Sequence, residues 1–101
     1  MNIIITSRKF KARDILKDFI NAEVKSLEKY NDRILSADVI LSYQNTRDSI
    51  KIAEIIVQVP GQTLTATEHS DEYQKAVSAA VEKLARQLSK LKSKNVSRKR
   101  A

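Results

Sequence analysis

Residues 50–68 decide the fold of this chain: they read Ile-Lys-Ile-Ala-Glu-Ile-Ile-Val-Gln-Val-Pro-Gly-Gln-Thr-Leu-Thr-Ala-Thr-Glu. Residues of high strand propensity dominate both halves, and the Pro60-Gly61 pair between them is the clearest turn signal in the sequence. The stretch therefore predicts two antiparallel strands, 50–59 and 62–68, joined by a tight turn.

The alternation along these two strands predicts which side chains are buried. The inward set of the first strand consists of small and branched residues: Ala53, Ile55, Val57 and Val59. Its alternates include Glu54 and Gln58, which prefer water. The second strand leaves two assignments open, because a slip of one residue would exchange them. The inward set is either Leu64 with Ala66, or Thr63, Thr65 and Thr67.

Outward from this hairpin, the sequence predicts two further strands and two helices. Residues 2–6 and 36–44 read as strands, and residues 45–48 as a turn. Residues 12–30 and the segment from Tyr73 onward place apolar side chains at helical spacing. The predicted fold class is therefore α+β, in the order β-α-β-β-β-α. A right-handed crossover makes the first two strands parallel, and both helices cover one face of a four-stranded mixed sheet.

The positive charge of the chain is concentrated at its C-terminal end. The 101 residues include 19 Lys+Arg and 12 Asp+Glu, for a net charge of +7. Residues 1–89 hold 13 of the basic and all 12 of the acidic residues, whereas residues 90–101 hold six basic residues and no acidic one. We predict one domain over residues 1–92 and a flexible basic tail over residues 93–101. Such asymmetry is typical of a polyanion-binding protein, although a solubilising tail is the simpler alternative.

The last predicted helix carries basic residues opposite its apolar stripe. At 100° per residue the members of this set fall on one side of the cylinder: Lys75, Lys83, Arg86 and Lys90. Basic residues late in a helix also interact favourably with its dipole, so part of the pattern serves helix stability. Four such residues leading into a basic tail favour a binding surface.

Composition argues against an enzyme, a metal protein and a membrane protein. The chain has no Cys, one His and one Gly, which leaves no thiolate ligand, no multi-histidine site and no glycine-rich phosphate loop. The adjacent His69, Ser70 and Asp71 cannot form a hydrolase triad. No apolar run approaches the ~20 residues of a transmembrane helix, and the tail has only Val96 as an apolar anchor. We expect a cytoplasmic protein with no catalytic residue, metal, cofactor or small-molecule substrate.

Three sequence segments resemble one known family, the ribosome hibernation-promoting factors, also called ribosome-associated inhibitors or sigma-54 modulation proteins. The last helix carries the most specific match, with Asp-Glu-Tyr-Gln-Lys-Ala-Val at 71–77 and Lys-Leu-Ala-Arg-Gln-Leu-Ser-Lys at 83–90. Lys-Ser-Leu-Glu-Lys-Tyr at 25–30 is similar to the end of the family's first helix, and Pro60-Gly61 to its last hairpin turn. The resemblance covers essentially the whole chain.

The resemblance implies a fold like that of double-stranded-RNA-binding domains and a role without chemistry. Family members bind the small ribosomal subunit, its rRNA and adjacent ribosomal proteins, in the channel for mRNA and tRNAs, and inhibit translation in starved or stationary cells. Pairing with a second ribosome through other factors is left open. Asp71 and Tyr73 occupy motif positions of the family, and we interpret them as a helix cap, for which Ser70 is the alternative, and as a core aromatic. The resemblance also aligns Thr63, Thr65 and Thr67 with inward positions.

We rank ten basic residues as candidate RNA contacts. The first rank lies on and beyond the last helix: Lys83, Arg86, Lys90, Lys92 and Lys94. The second rank lies around the first helix: Lys25, Lys29, Arg8, Lys9 and Lys11. The basic run at 9–13 departs from the family, in which an acidic residue followed by Thr is common before this helix.

The sequence leaves two questions open, the length of the natural protein and its function. The chain is either a short family member or the N-terminal domain of a long one. Its function is either that of a ribosome hibernation factor or that of a protein-binding regulator of transcription. Such a regulator would use the open sheet face or the tail to bind acidic protein surfaces. A general module for structured RNA is a further alternative.

Overall fold

The computed structural model describes the backbone of residues 1–44 and 50–100 and the side chains as far as residue 91. Its elements follow the predicted order β-α-β-β-β-α: β1 Asn2–Ser7, α1 Asp14–Lys25, a 3₁₀ turn Ser26–Lys29, β2 Ser36–Tyr43, β3 Lys51–Val59, β4 Gln62–Ser70 and α2 Tyr73–Arg100. The predicted turn at 45–48 lies outside the described residues. Gly61 occupies the turn between β3 and β4 with φ +80°, a conformation that glycine adopts without a steric penalty.

The four strands form one mixed sheet in the spatial order β1-β2-β3-β4. β1 runs parallel to β2, with Ile3 opposite Ala37, and the other two neighbouring pairs are antiparallel. In the centre of the sheet Ile55 lies opposite both Val39 of β2 and Ala66 of β4. The predicted fold class, a four-stranded mixed sheet with two helices, is therefore confirmed.

A single apolar layer between the sheet and the helices forms the core. The inward set predicted for β3 is buried, since Ala53, Ile55 and Val57 are fully inaccessible and Val59 is nearly so. In β4 the open question is settled in favour of Leu64 and Ala66, which are 7% and 4% exposed. The inward placement of the threonines, which the family resemblance implied, is wrong because it would exchange two apolar side chains for three hydroxyls in the core.

The first helix is shorter than its apolar pattern. It begins at Asp14 without a side-chain cap from Arg13, and beyond Lys25 the chain continues as the 3₁₀ turn. Glu23 interrupts the apolar stripe, and its Oε1 accepts a hydrogen bond of 3.2 Å from the Ser78 hydroxyl of α2. This carboxylate therefore ties the two helices together at their interface.

The second helix is 28 residues long, from Tyr73 to Arg100. Its backbone is helical to Arg100 and thus includes most of the segment 93–101 that the sequence separates as a tail. The boundary between residues 92 and 93 remains a prediction. The apolar side of α2 packs on β3 and β4, which leaves the opposite side of the helix available to solvent.

Candidate nucleic-acid interface

The outer face of α2 displays three of the five first-ranked basic residues. Leu84 and Leu88 are fully buried on the sheet side of the helix. Lys83, Arg86 and Lys90 lie on the other side and are exposed. Because helical geometry places residues i, i+3 and i+7 on one side, burying the two leucines orients all three basic side chains outward. With the exposed Lys75 they form what we call the α2 ridge.

Carboxylates accompany three of the four ridge residues. Lys83 Nζ lies 3.0 Å from Glu68 Oε1 on β4, and Arg86 Nη2 lies 2.9 Å from Glu82 Oε1 one helical turn earlier. Glu68 is the most shielded of these carboxylates, with 28% of its side chain exposed. Three of the four ridge cations are therefore already paired with carboxylates, and an incoming phosphate would have to displace those carboxylates.

The third ion pair lies at the beginning of α2. Lys75 Nζ is 3.3 Å from Asp71 Oδ1, and the Ser70 hydroxyl donates to the same oxygen over 3.1 Å. These two donors, the hydroxyl foremost, hold the pKa of Asp71 below its usual value. The donors that lie closest to this carboxylate are thus the side chains of Ser70 and Lys75, whereas a helix cap would bind backbone N–H groups of the first helical turn.

The loop between β1 and α1 carries three second-ranked candidates: Arg8, Lys9 and Lys11, all exposed. Phe10 fixes this loop, because its ring is half-buried and stacks on Tyr73 with centroids 5.0 Å apart and an interplanar angle of 14°. Lys9 has φ 66°, a left-handed conformation that is uncommon for a residue with a side chain. Anchoring at Phe10 therefore presents the basic neighbours at a defined place above the sheet.

An aromatic cluster closes this end of the core. Tyr43 meets Phe10 edge-on at 6.1 Å, and Lys51 Nζ lies 5.5 Å and 5.8 Å from the rings of Tyr43 and Tyr73. The Tyr73 hydroxyl donates to the Ser42 carbonyl over 2.9 Å, and burial, with a smaller contribution from Tyr43, raises the pKa of Tyr73. Phe10 and Tyr73 pack against the core. Because these rings contact one another, the cluster supports the fold and the loop rather than offering free faces to a base.

The remaining candidates lie on separate elements. Lys25 ends α1 and Lys29 ends the 3₁₀ turn, and both are exposed. They are separated from the loop candidates by the length of α1, about 18 Å at 1.5 Å per residue. Lys92 and Lys94 lie on the α2 backbone, and their side chains are outside the description. The structure thus gathers Lys83, Arg86 and Lys90 on one surface and distributes the second rank over two others.

Within residues 1–44 and 50–100 the structure offers no cluster of side chains suited to hold a metal ion. No helix in the described part of the chain has the length and apolar character needed to cross a bilayer. The fold and this surface together define a small α+β domain whose last helix presents basic side chains outward.

Comparison with known proteins places this domain in a family. A family model described as Sigma 54 modulation protein / S30EA ribosomal protein matches residues 3–96, and the chain belongs to that family of ribosome-associated factors. A ribosome hibernation promoting factor of Azotobacter vinelandii is 32% identical over 97% of this chain and 89% of its own length. The corresponding Escherichia coli K12 protein is 29% identical over 93% and 96% of the two chains. The chain spans about half the length of the Bacillus subtilis relative, 50%, at 29% identity.

Two solved structures share the fold. The N-terminal domain of Protein Y from Thermus thermophilus superposes with a TM-score of 0.81 at 28% identity, over 90% of this chain and 99% of that domain. A ribosomal subunit interface protein from Coxiella burnetii gives a TM-score of 0.83 at 27% identity, over 92% of this chain and 99% of the other. Membership of this family makes the chain a ribosome-associated factor, and the family is not one of enzymes.

Proposed function

We propose that this chain is a hibernation factor that occupies the mRNA and tRNA channel of the small ribosomal subunit and inhibits translation in starved or stationary cells. The observation that carries the proposal is the α2 ridge, three of whose basic side chains are held outward by the buried Leu84 and Leu88. Inhibition by occupancy needs no chemistry, because a folded domain in the channel excludes mRNA and tRNA sterically. The protein would act in the cytoplasm, where ribosomes are found.

Phosphate can compete for the ridge because two of its three described ion pairs, Lys75–Asp71 and Arg86–Glu82, join exposed side chains. Pairs between solvent-exposed side chains contribute about 0–1 kcal/mol each. A phosphate that replaces Glu82 at Arg86 therefore meets a small cost and gains from counterion release. Such contacts position a protein without reading sequence, which suits rRNA, whose recognition depends chiefly on shape, backbone and 2′-hydroxyls.

Co-sedimentation with purified small subunits over a salt series tests the proposal. If about six phosphates are neutralised, the logarithm of the affinity should fall against the logarithm of the salt concentration with a slope near −4 to −5. Added mRNA and initiator tRNA should displace the protein in proportion to their occupancy of the channel. A protein that stays in the supernatant at low salt while binding a polymerase subunit would support the transcription regulator instead.

Neutralising the two carboxylates nearest the ridge should tighten this binding. In Glu68→Gln/Glu82→Gln, Lys83 and Arg86 no longer have to give up a carboxylate partner before they bind a phosphate. The variant also lacks two negative charges that would repel the RNA. We expect affinity for the small subunit to rise about three- to tenfold at low salt, with little change in thermal stability. Asp18→Asn/Glu28→Gln is the matched control, since Asp18 on α1 and Glu28 on the following 3₁₀ turn are both exposed and the net charge changes equally. Equal gains in the two variants would trace the effect to net charge alone.

The open sheet face does not suit an acidic protein partner. Its acidic residues in the described strands are Asp38 and Glu54, and none of its strand positions holds Lys or Arg. Two carboxylates would repel an acidic surface. We therefore disfavour a transcription regulator that binds acidic proteins through the open sheet face. The basic side of α2 is the surface that suits anionic partners.

A further inference from the structure

The face of the sheet opposite the helices carries a compact group of isoleucines and carboxylates. Alternate residues of β1, β2 and β3 point away from the core, and six of them define what we call the open-face patch: Ile4, Asp38, Ile40, Ile52, Glu54 and Ile56. Ile4 is 51% exposed, and the other five are partly exposed. A group of branched apolar side chains on one continuous surface marks a candidate interaction site.

The strand register interleaves the charges with the isoleucines. Asp38 lies directly between Ile4 of β1 and Ile56 of β3, and Glu54 lies directly opposite Ile40 of β2. Asp38 and Glu54 are therefore diagonal neighbours on adjacent strands, with backbone positions about 7–8 Å apart. Each carboxylate is partly shielded from water by aliphatic neighbours, and a cation bound there would be screened less than one on an open surface.

No ion pair in the described part of the chain engages these carboxylates, although His69 of β4 lies on the same face, opposite Ile52. The described ion pairs all involve α2 and the residues beside it, and neither Asp38 nor Glu54 takes part in one. In a chain of net charge +7 this is a local reversal of sign. The domain is thus two-sided, with basic residues on the α2 ridge and two carboxylates on the opposite side of the sheet.

We propose that the open-face patch docks a basic polypeptide segment in which two lysine or arginine side chains about 7 Å apart are flanked by aliphatic residues. Residues i and i+2 of an extended segment provide that spacing, since a strand rises 3.2–3.4 Å per residue. The cations meet Asp38 and Glu54, and the aliphatic side chains contact the isoleucines. Nucleic acid is excluded because its phosphates would meet the same carboxylates.

A second copy of this chain fits the patch less well. Apart from Lys51 at the start of β3, its described basic residues lie on helices and loops, so a contact between one copy's ridge and another's patch would join two different surfaces. Such heterologous contacts propagate unless their rotation closes a ring. The six residues of the patch are also few beside the roughly 20–30 residues per partner of a standard stable interface. The patch therefore suits a short segment held nearby by other contacts, where a high effective concentration makes weak binding sufficient.

A peptide titration followed by NMR tests this proposal without ribosomes. The probe is a blocked peptide Leu-Thr-Lys-Thr-Lys-Thr-Leu, and its counterpart replaces both lysines by glutamate. We expect the lysine peptide to shift the amide signals of Asp38, Ile40, Glu54 and Ile56, and the glutamate peptide to leave them unchanged. In Asp38→Asn/Glu54→Gln the affinity for the lysine peptide should fall about five- to tenfold. The matched control Asp18→Asn/Glu28→Gln should keep it within about twofold.

Several outcomes would overturn the proposal. Shifts spread over acidic residues of both faces, or equal losses in the two double variants, would mean that the peptide responds only to net charge. Signals of the patch that move with protein concentration alone would make a second copy the occupant, and signals that move with an RNA hairpin would make it nucleic acid. Because the α2 ridge is intact in these variants, a negative result would leave the proposed ribosome binding untouched.

Discussion

Replacing Lys83, Arg86 and Lys90 together by glutamate is expected to weaken binding to the small ribosomal subunit by about 100-fold or more at ~0.1 M salt. All three side chains are exposed on one face of α2, so a surface that neutralises phosphates there loses three cations and gains three anions. The slope of log affinity against log salt should become shallower by about 2 to 3. Inhibition of translation in a purified system should fall in parallel, because occupancy of the channel is the proposed mechanism.

A charge-matched variant separates the ridge from general electrostatics. Arg13→Glu/Lys17→Glu/Arg33→Glu changes the net charge by the same amount, but its residues lie before, within and after α1 rather than on α2. We expect it to bind within about fivefold of the unaltered protein. If both triple variants lost affinity equally, or if the ridge variant inhibited translation undiminished while folded, the α2 ridge would not be the ribosome-binding surface. Circular dichroism of each variant establishes that the fold is retained.

The sheet could be predicted because its signals are local. Strand alternation around Ile55 and the Pro60-Gly61 turn fix the hairpin without information from elsewhere in the chain. The same argument settles β4, where Leu64 and Ala66 are buried as hydrophobicity suggests. The family resemblance pointed to the wrong face of this strand, because a slip of one position in alignment costs little in sequence similarity and inverts every side chain.

The partners of the ridge could be predicted only in part. Glu82 with Arg86 and Asp71 with Lys75 follow the i, i+4 spacing that brings helical side chains together, so their pairing was readable from the sequence. The Glu68–Lys83 pair was not, since it depends on how α2 lies against β4. The stacking of Phe10 on Tyr73 likewise joins elements far apart in the chain. Long-range packing of this kind carries no local periodic signal.

The carboxylates of the open face illustrate an intermediate case. Alternation alone places Glu54 on the outward side of its strand. Its diagonal relation to Asp38, however, depends on the register between β2 and β3. Sequence alternation does not determine that register, because a shift of two residues keeps the same side chains outward. A pair of acidic residues in separate strands therefore becomes a site only when the register is known.

Leu84→Ala should have the largest effect on stability and little effect on ribosome binding. The leucine is fully buried where α2 packs on the sheet, and truncation removes apolar contact and leaves a cavity. We expect the free energy of unfolding to fall by about 3 kcal/mol, measured by urea denaturation followed by circular dichroism. A domain of this size with 5–15 kcal/mol of stability remains mostly folded after such a loss. Its affinity for the small subunit at 20 °C should then stay within about threefold, because Lys83 and Arg86 keep their positions on a helix that still forms.

Arg86→Ala is the matched control on the same helix and should show the opposite pattern. Its side chain is 70% exposed and pairs only with Glu82 among the described ion pairs, so its removal should cost at most about 0.5 kcal/mol of stability. Binding to the small subunit should nevertheless weaken about five- to tenfold, as expected for the loss of one phosphate contact. If Leu84→Ala abolished binding in a sample that is still folded, the ridge would depend on the exact seating of α2. If Arg86→Ala destabilised the fold as much as Leu84→Ala, the division of this helix into a structural side and a binding side would be wrong.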